Sequence, residues 1–138
     1  MTLKIMALNT CGFISKTTEV INATKSHNIA CLIEMRWPDD EDKMEELKEK
    51  FKRETNKELY ISKSVNRNTI VIAYDNDIKD CVSGFTDLIP GRCVRFKLSY
   101  GNHYEYHVYA IHAPNASDDK ETILDFFTRV QNDALNNS

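Results

Sequence analysis

Five consecutive apolar residues, Ile29-Ala30-Cys31-Leu32-Ile33, stand between Asn28 and Glu34, and no other segment restricts the fold of this chain as much. A run of that length is a strand, and a strand with no polar face has to be covered on both sides. A sheet with packing on each face is therefore required. The run ends on Glu34. A carboxylate directly after a buried strand asks for a reason, because burying a charge is costly unless it has a partner or a task.

The flanking segments supply the covering layers. Residues from about Ser15 to Asn28 read as a helix, with Ser15 or Thr17 available as its cap and Val20, Ile21 and Ala23 facing inward. Trp37-Pro38-Asp39-Asp40 breaks the chain and opens a second helix with acidic residues in its first turn. Its inner stripe is Met44, Leu47 and Phe51, and the charges from Glu41 through Lys57 read as its solvated face. Before these lies a short strand, Leu3 to Asn9, that runs into a turn at Gly12.

From Leu59 onward the period changes to two. Leu59 to Ile61, Thr69 to Tyr74, Cys93 to Leu98 and Tyr104 to Ile111 read as strands. Asp75-Asn76-Asp77, Pro90-Gly91 and Gly101-Asn102 supply the turns between them. Ser117 is placed to cap a last helix whose inner face is Ile123, Leu124, Phe127 and Val130. Strands joined by short turns pair antiparallel. The expected fold class is α+β, a mostly antiparallel sheet packed with helices, in one domain of 138 residues.

Composition removes several functions. The net charge of −3 provides no basic field with which to grip nucleic acid by electrostatics alone. No apolar run is long enough to span a membrane, and the amino terminus lacks a secretory pattern, so an intracellular protein is expected. Cys11, Cys31, Cys81 and Cys93 are scattered with no C-x-x-C pair, which reads as reduced, mostly buried thiols and not as a zinc site.

Three segments place polar groups at the ends of apolar strands: Leu8-Asn9-Thr10-Cys11-Gly12, Cys31-Leu32-Ile33-Glu34 and Ile111-His112-Ala113-Pro114-Asn115. Taken singly, each polar residue has an ordinary role. Asn9 suits a turn, Glu34 a surface pair with Arg36, His112 a satisfied histidine, and Asn115 the start of a turn. Together they are the types a phosphate-ester hydrolase uses: a hard oxygen ligand for a divalent cation, and neutral donors for the phosphate.

In this order the segments resemble the endonuclease/exonuclease/phosphatase family, and most of all the LINE-type retrotransposon endonucleases. Lys4 to Gly12 is similar to the family's strand ending in Leu-Asn-x-Asn-Gly, and Ile29 to Glu34 to its strand ending in Gln-Glu. Thr69 to Tyr74, Gly91 to Phe96, and Ile111 to Asn115 with Phe126-Phe127 follow as its next strands, turn and helix. The resemblance implies that Glu34 ligates catalytic Mg²⁺ or Mn²⁺, with Asn9 beside the metal. His112, at a position often held by tyrosine, and Asn115 would then bind substrate phosphate. It further implies DNA as substrate, with no membrane partner.

There are departures. Cys11 replaces an asparagine, Ile33 a glutamine, and Arg67-Asn68 stand where small glycines are usual. The family's Gly-Asp-x-Asn and Ser-Asp-His segments do not occur in the 138 residues. The resemblance therefore implies a partial domain, an incomplete half of a four-layer α/β sandwich with an inner face left open. A partner chain or a carboxy-terminal half would complete it. The expectation is a phosphodiesterase, weak or inactive as it stands. A non-catalytic binding module of the same fold and a small phosphatase are the alternatives.

Overall fold

The computed structural model describes residues 2–12, 17–64, 68–99, 101 and 104–137. Ser15, Arg67 and Asn102 lie outside them. Two sheets stack face to face between helices, as the doubly covered run at Ile29 demands. The first contains β1 (Ile5–Asn9), β2 (Ile29–Ile33), β3 (Lys57–Lys63) and β4 (Thr69–Asp75) in the order β1-β2-β4-β3. β1 lies parallel to β2, while β2–β4 and β3–β4 are antiparallel. The second sheet, β5 (Val82–Ile89), β6 (Cys93–Ser99) and β7 (Glu105–Ile111), is antiparallel throughout.

β2 is buried on both faces because its alternate residues enter different cores. Ala30 and Leu32 pack with Val20 and Ile21 of helix α1 (Thr17–Lys25) and Phe51 of helix α2 (Glu41–Thr55). Ile29 and Cys31 pack instead between the sheets, against Val94, Phe96 and Leu98 of β6. Asp40 caps α2 by accepting from the amides of Asp42 and Lys43, and Asn56 ends it in the left-handed region at φ 54°. Met44 and Leu47 are half-buried and Phe51 fully so, as their spacing predicts.

Helix α3 (Lys120–Asn136) forms the outer layer on the second sheet, held through Asp133 to Arg95 and Tyr109. Its orientation corrects the sequence expectation. Phe126 is the buried residue, while Leu124 and Phe127 are 68% and 47% exposed. Asp119 caps this helix in place of Ser117, its side chain accepting from the Thr122 amide. α1 turns Thr24 inward where Ala23 was expected, and the Thr24 hydroxyl satisfies itself on the Val20 carbonyl.

Three further differences have local causes. The segment after β4 is a 3-10 helix over Asn76–Cys81, and Ile78 is buried beneath it. It leads into β5, which polar residues and two register shifts hide from a period of two. Lys57 does not belong to the solvated face of α2: it is the first residue of β3, 2% exposed, and its ammonium meets Asp75.

All four cysteines are free, with Cys31 and Cys93 buried, Cys81 half-buried and Cys11 exposed. Burial pushes the Cys31 thiol up to about 11. Among the described residues, no helix is long and apolar enough to cross a membrane.

Candidate functional site

β1 and β2 leave their sheet side by side, with Asn9 opposite Ile33. Thr10, which the sequence reading passed over, holds the two exits together. Its amide donates to the Ile33 carbonyl at 2.9 Å, and its hydroxyl lies 3.1 Å and 3.0 Å from the Ile33 and Glu34 carbonyls. The Gly12 amide donates to the Glu34 carbonyl at 3.0 Å. Thr10 is 2% exposed, so these bonds form away from water.

The backbone around them is strained. Cys11, Glu34 and Arg36 occupy the left-handed region at φ 50°, 59° and 50°. A residue with a Cβ resists that conformation at a cost on the order of 1–3 kcal/mol, and three so close together persist because surrounding bonds over-determine them. Glu34 is thereby presented half-buried at the mouth of the turn. The Arg36 side chain folds over Gly12, its Cδ 3.6 Å from where a Cβ on that glycine would sit.

Asn9 makes the turn that its type suggests. Its Oδ1 accepts from the Cys11 amide at 2.9 Å and lies 3.4 Å from the Cys11 thiol. The oxygen is thus engaged, and the amide group is left as the donor of this side chain.

His112 follows β7 in the second sheet, and its amide donates to the Arg92 carbonyl at 2.7 Å. The Arg92 guanidinium returns along the same turn, with Nη1 3.2 Å from the Ala113 carbonyl. Burial and then the Arg92 charge hold the imidazole below its ordinary 6.5, and the Glu34 carboxylate opposes them. Glu34 and His112 are therefore within electrostatic reach of one another across the two sheets. The His112 Nδ1 is buried and has no hydrogen-bond partner among the described residues.

Asn115 is held separately. Its amide donates to Asp118 Oδ2 at 2.8 Å, and its carbonyl accepts from the Asp118 amide at 3.0 Å. Beside this turn lies a cavity of about 290 Å³ whose lining includes Arg92, Pro114, Phe126 and Arg129. Arg92 is a member of the site that the sequence reading treated only as part of a strand. Its signal was an arginine directly after Gly91, at the mouth of a strand ending beside His112.

Among the described residues, no three His, Cys, Asp or Glu side chains gather where they could hold a metal. Mg²⁺ takes six oxygen ligands and commonly leans on one or two carboxylates, water and substrate. The donors present fit a cation anchored by Glu34 and completed by water and phosphate, and do not fit a closed protein cage. Compared with family models, curated proteins and solved structures, the chain matches none.

Proposed function

We propose that the chain carries one half of a phosphodiester-hydrolysing site, built where β1, β2 and β7 end, with DNA as substrate and a retrotransposon-type endonuclease as its nearest functional kind. The supporting observation is the electrostatic coupling of Glu34, from the first sheet, with His112, from the second. A carboxylate and an imidazole that two separate sheets bring together are hard to explain by packing alone.

In this reading Glu34 anchors Mg²⁺ or Mn²⁺, which when bound supplies positive charge at the phosphate oxygens. The Asn9 amide group donates to the phosphate or to the ligand shell. His112, kept neutral, donates one ring N–H to a phosphate oxygen, and Arg92 fixes the backbone that carries it. Asn115 meets the substrate further along the same turn. No described residue stands as a general base near Glu34, and that omission costs on the order of 10²–10⁴-fold in rate. Activity of the chain by itself is accordingly weak.

A second reading, a non-catalytic interaction module, draws support from the uncovered edge between β1 and β7. Nicking of supercoiled plasmid with Mg²⁺ or Mn²⁺, alongside Glu34→Ala, separates the two. Nicking that disappears in the variant supports the hydrolase. A folded protein that never nicks, and that binds plasmid no better with metal than without, overturns it. Release of phosphate from a monoester but not a diester would point to a small phosphatase.

A further inference from the structure

Each sheet has two edges, and the two sides of the sandwich are finished differently. On one side β3 and β5 close over one another. Tyr60 stacks on Phe85 with ring centroids 4.5 Å apart and donates its hydroxyl to Asp87 at 2.7 Å. β3 carries Lys57, Glu58 and Lys63, and β5 is broken by register shifts between Ser83 and Thr86 and between Asp87 and Ile89. Charged residues and bulges are how a natural edge refuses a further strand.

The other side has none of these devices. β1 reads IMALN and β7 reads EYHVYAI, with neither lysine nor proline, and β7 pairs with β6 without a register shift. Ile5 and Tyr106 are 48% and 52% exposed although they share faces with Ile29 and Leu98 of the inter-sheet core. A groove of about 720 Å³ lies between the two strands, lined among others by Leu3, Ile5, Leu98, Tyr106 and Val108. The inner faces of the sandwich part here, at the end of β7 away from His112.

The hydrogen bonding of β7 states what fits. The His112 amide bonds to the Arg92 carbonyl, and bonded pairs alternate along an antiparallel ladder. Val108, in register with Phe96, therefore bonds inward to β6. Glu105, His107, Tyr109 and Ile111 turn their N–H and C=O groups to the free edge. Those groups call for an extended strand, and the strand they match is their own.

We infer that this edge is an interface between two copies of the chain, paired antiparallel through β7 about a two-fold axis at Val108. In that register His107 meets Tyr109 of the other copy and Glu105 meets Ile111, so every outward group finds an outward group. The two Glu105 carboxylates stand about 20 Å apart, and no like charges oppose one another. Tyr106 falls opposite Ala110, a small residue that leaves room for the ring. The inference is independent of the proposed phosphate site.

Sedimentation velocity on the full chain, across roughly a hundredfold range of concentration, tests it. A monomer–dimer equilibrium is expected. Tyr106→Lys should weaken it by at least about tenfold by forcing a charge into an apolar contact. His107→Pro should do the same by removing an outward donor. Ser83→Lys, on the opposite edge, should leave it unchanged, with circular dichroism confirming that each variant is folded. A monomer at every concentration overturns the inference. So does a dimer that Tyr106→Lys and His107→Pro leave intact, or one that Ser83→Lys dissolves.

Discussion

Nη1 of Arg95 lies 2.7 Å from Oδ1 of Asp133 and 2.8 Å from Oδ2, tying strand β6 to helix α3. Tyr109 of the neighbouring strand donates its hydroxyl to the same carboxylate at 2.7 Å, and Arg95 Nη2 reaches the Thr86 hydroxyl at 3.2 Å. Burial raises the Asp133 carboxyl, but these hydrogen bonds outweigh it and hold the group below the usual carboxylate range. One acidic residue on α3 thus joins three strands of the second sheet, and with Phe126 it decides which face of the helix turns inward.

Asp133→Ala should accordingly destabilise the fold by about 2–4 kcal/mol, because it strands a largely buried guanidinium and a phenol as well as removing the pair. Both partners of the ion pair are 16% exposed, so water compensates little. Urea unfolding checks this. A loss no larger than that of an exposed ion pair, under about 1 kcal/mol, would mean that Phe126 alone seats the helix.

Gly91 predicts a second weak point. Its φ of +73° is already in the left-handed region, and a Cβ there would stand 2.2 Å from the Asn68 carbonyl oxygen and 2.9 Å from the Ser64 amide nitrogen. Its amide also donates to the Ser62 hydroxyl at 2.8 Å, locking the β5–β6 turn to β3. Gly91→Ala should cost at least about 3 kcal/mol, combining backbone strain with an overlap that only main-chain movement relieves. A thermal midpoint unchanged by the substitution would show that the turn moves freely.

The sequence was legible where one physical demand dominated. Ile29–Ile33 is a strand from end to end because five apolar residues leave no polar face to set a boundary inside it. The stripe of Met44, Leu47 and Phe51 identified α2 for the same reason. Reading failed where two demands competed. Leu124 and Phe127 make a plausible apolar face, yet the Arg95–Asp133–Tyr109 cluster, formed between residues far apart in sequence, turns α3 toward Phe126. β5 was missed because Ser83, Gly84 and Asp87 interrupt its alternation. At the site, Asn9, Glu34 and His112 could be named from strand ends. Thr10 and Arg92 could not, because their roles lie in backbone bonds to segments brought near only by folding.

His112 should make stability depend on acid. Its folded value lies below the ordinary 6.5, so above that pH the imidazole is neutral in both the folded and unfolded chain and imposes no penalty. As pH falls below 6.5, the unfolded chain takes up the proton first, and stability declines until the folded value is passed. His112→Gln should flatten this decline in unfolding curves measured at successive pH values. An unaltered decline in the variant would assign it to other groups.

Glu34 offers the sharpest separation of structure from function. Its backbone sits at φ 59°, a conformation that suits glycine, so Glu34→Gly should relieve strain and raise stability by about 1 kcal/mol. The same substitution removes the only carboxylate that the proposed site offers a cation, and any metal-dependent nicking should vanish with it. A more stable and inactive variant is the signature of strain kept for function. If Glu34→Gly is instead less stable than the parent, the carboxylate contributes to the fold, and its exposure at the turn needs no catalytic explanation.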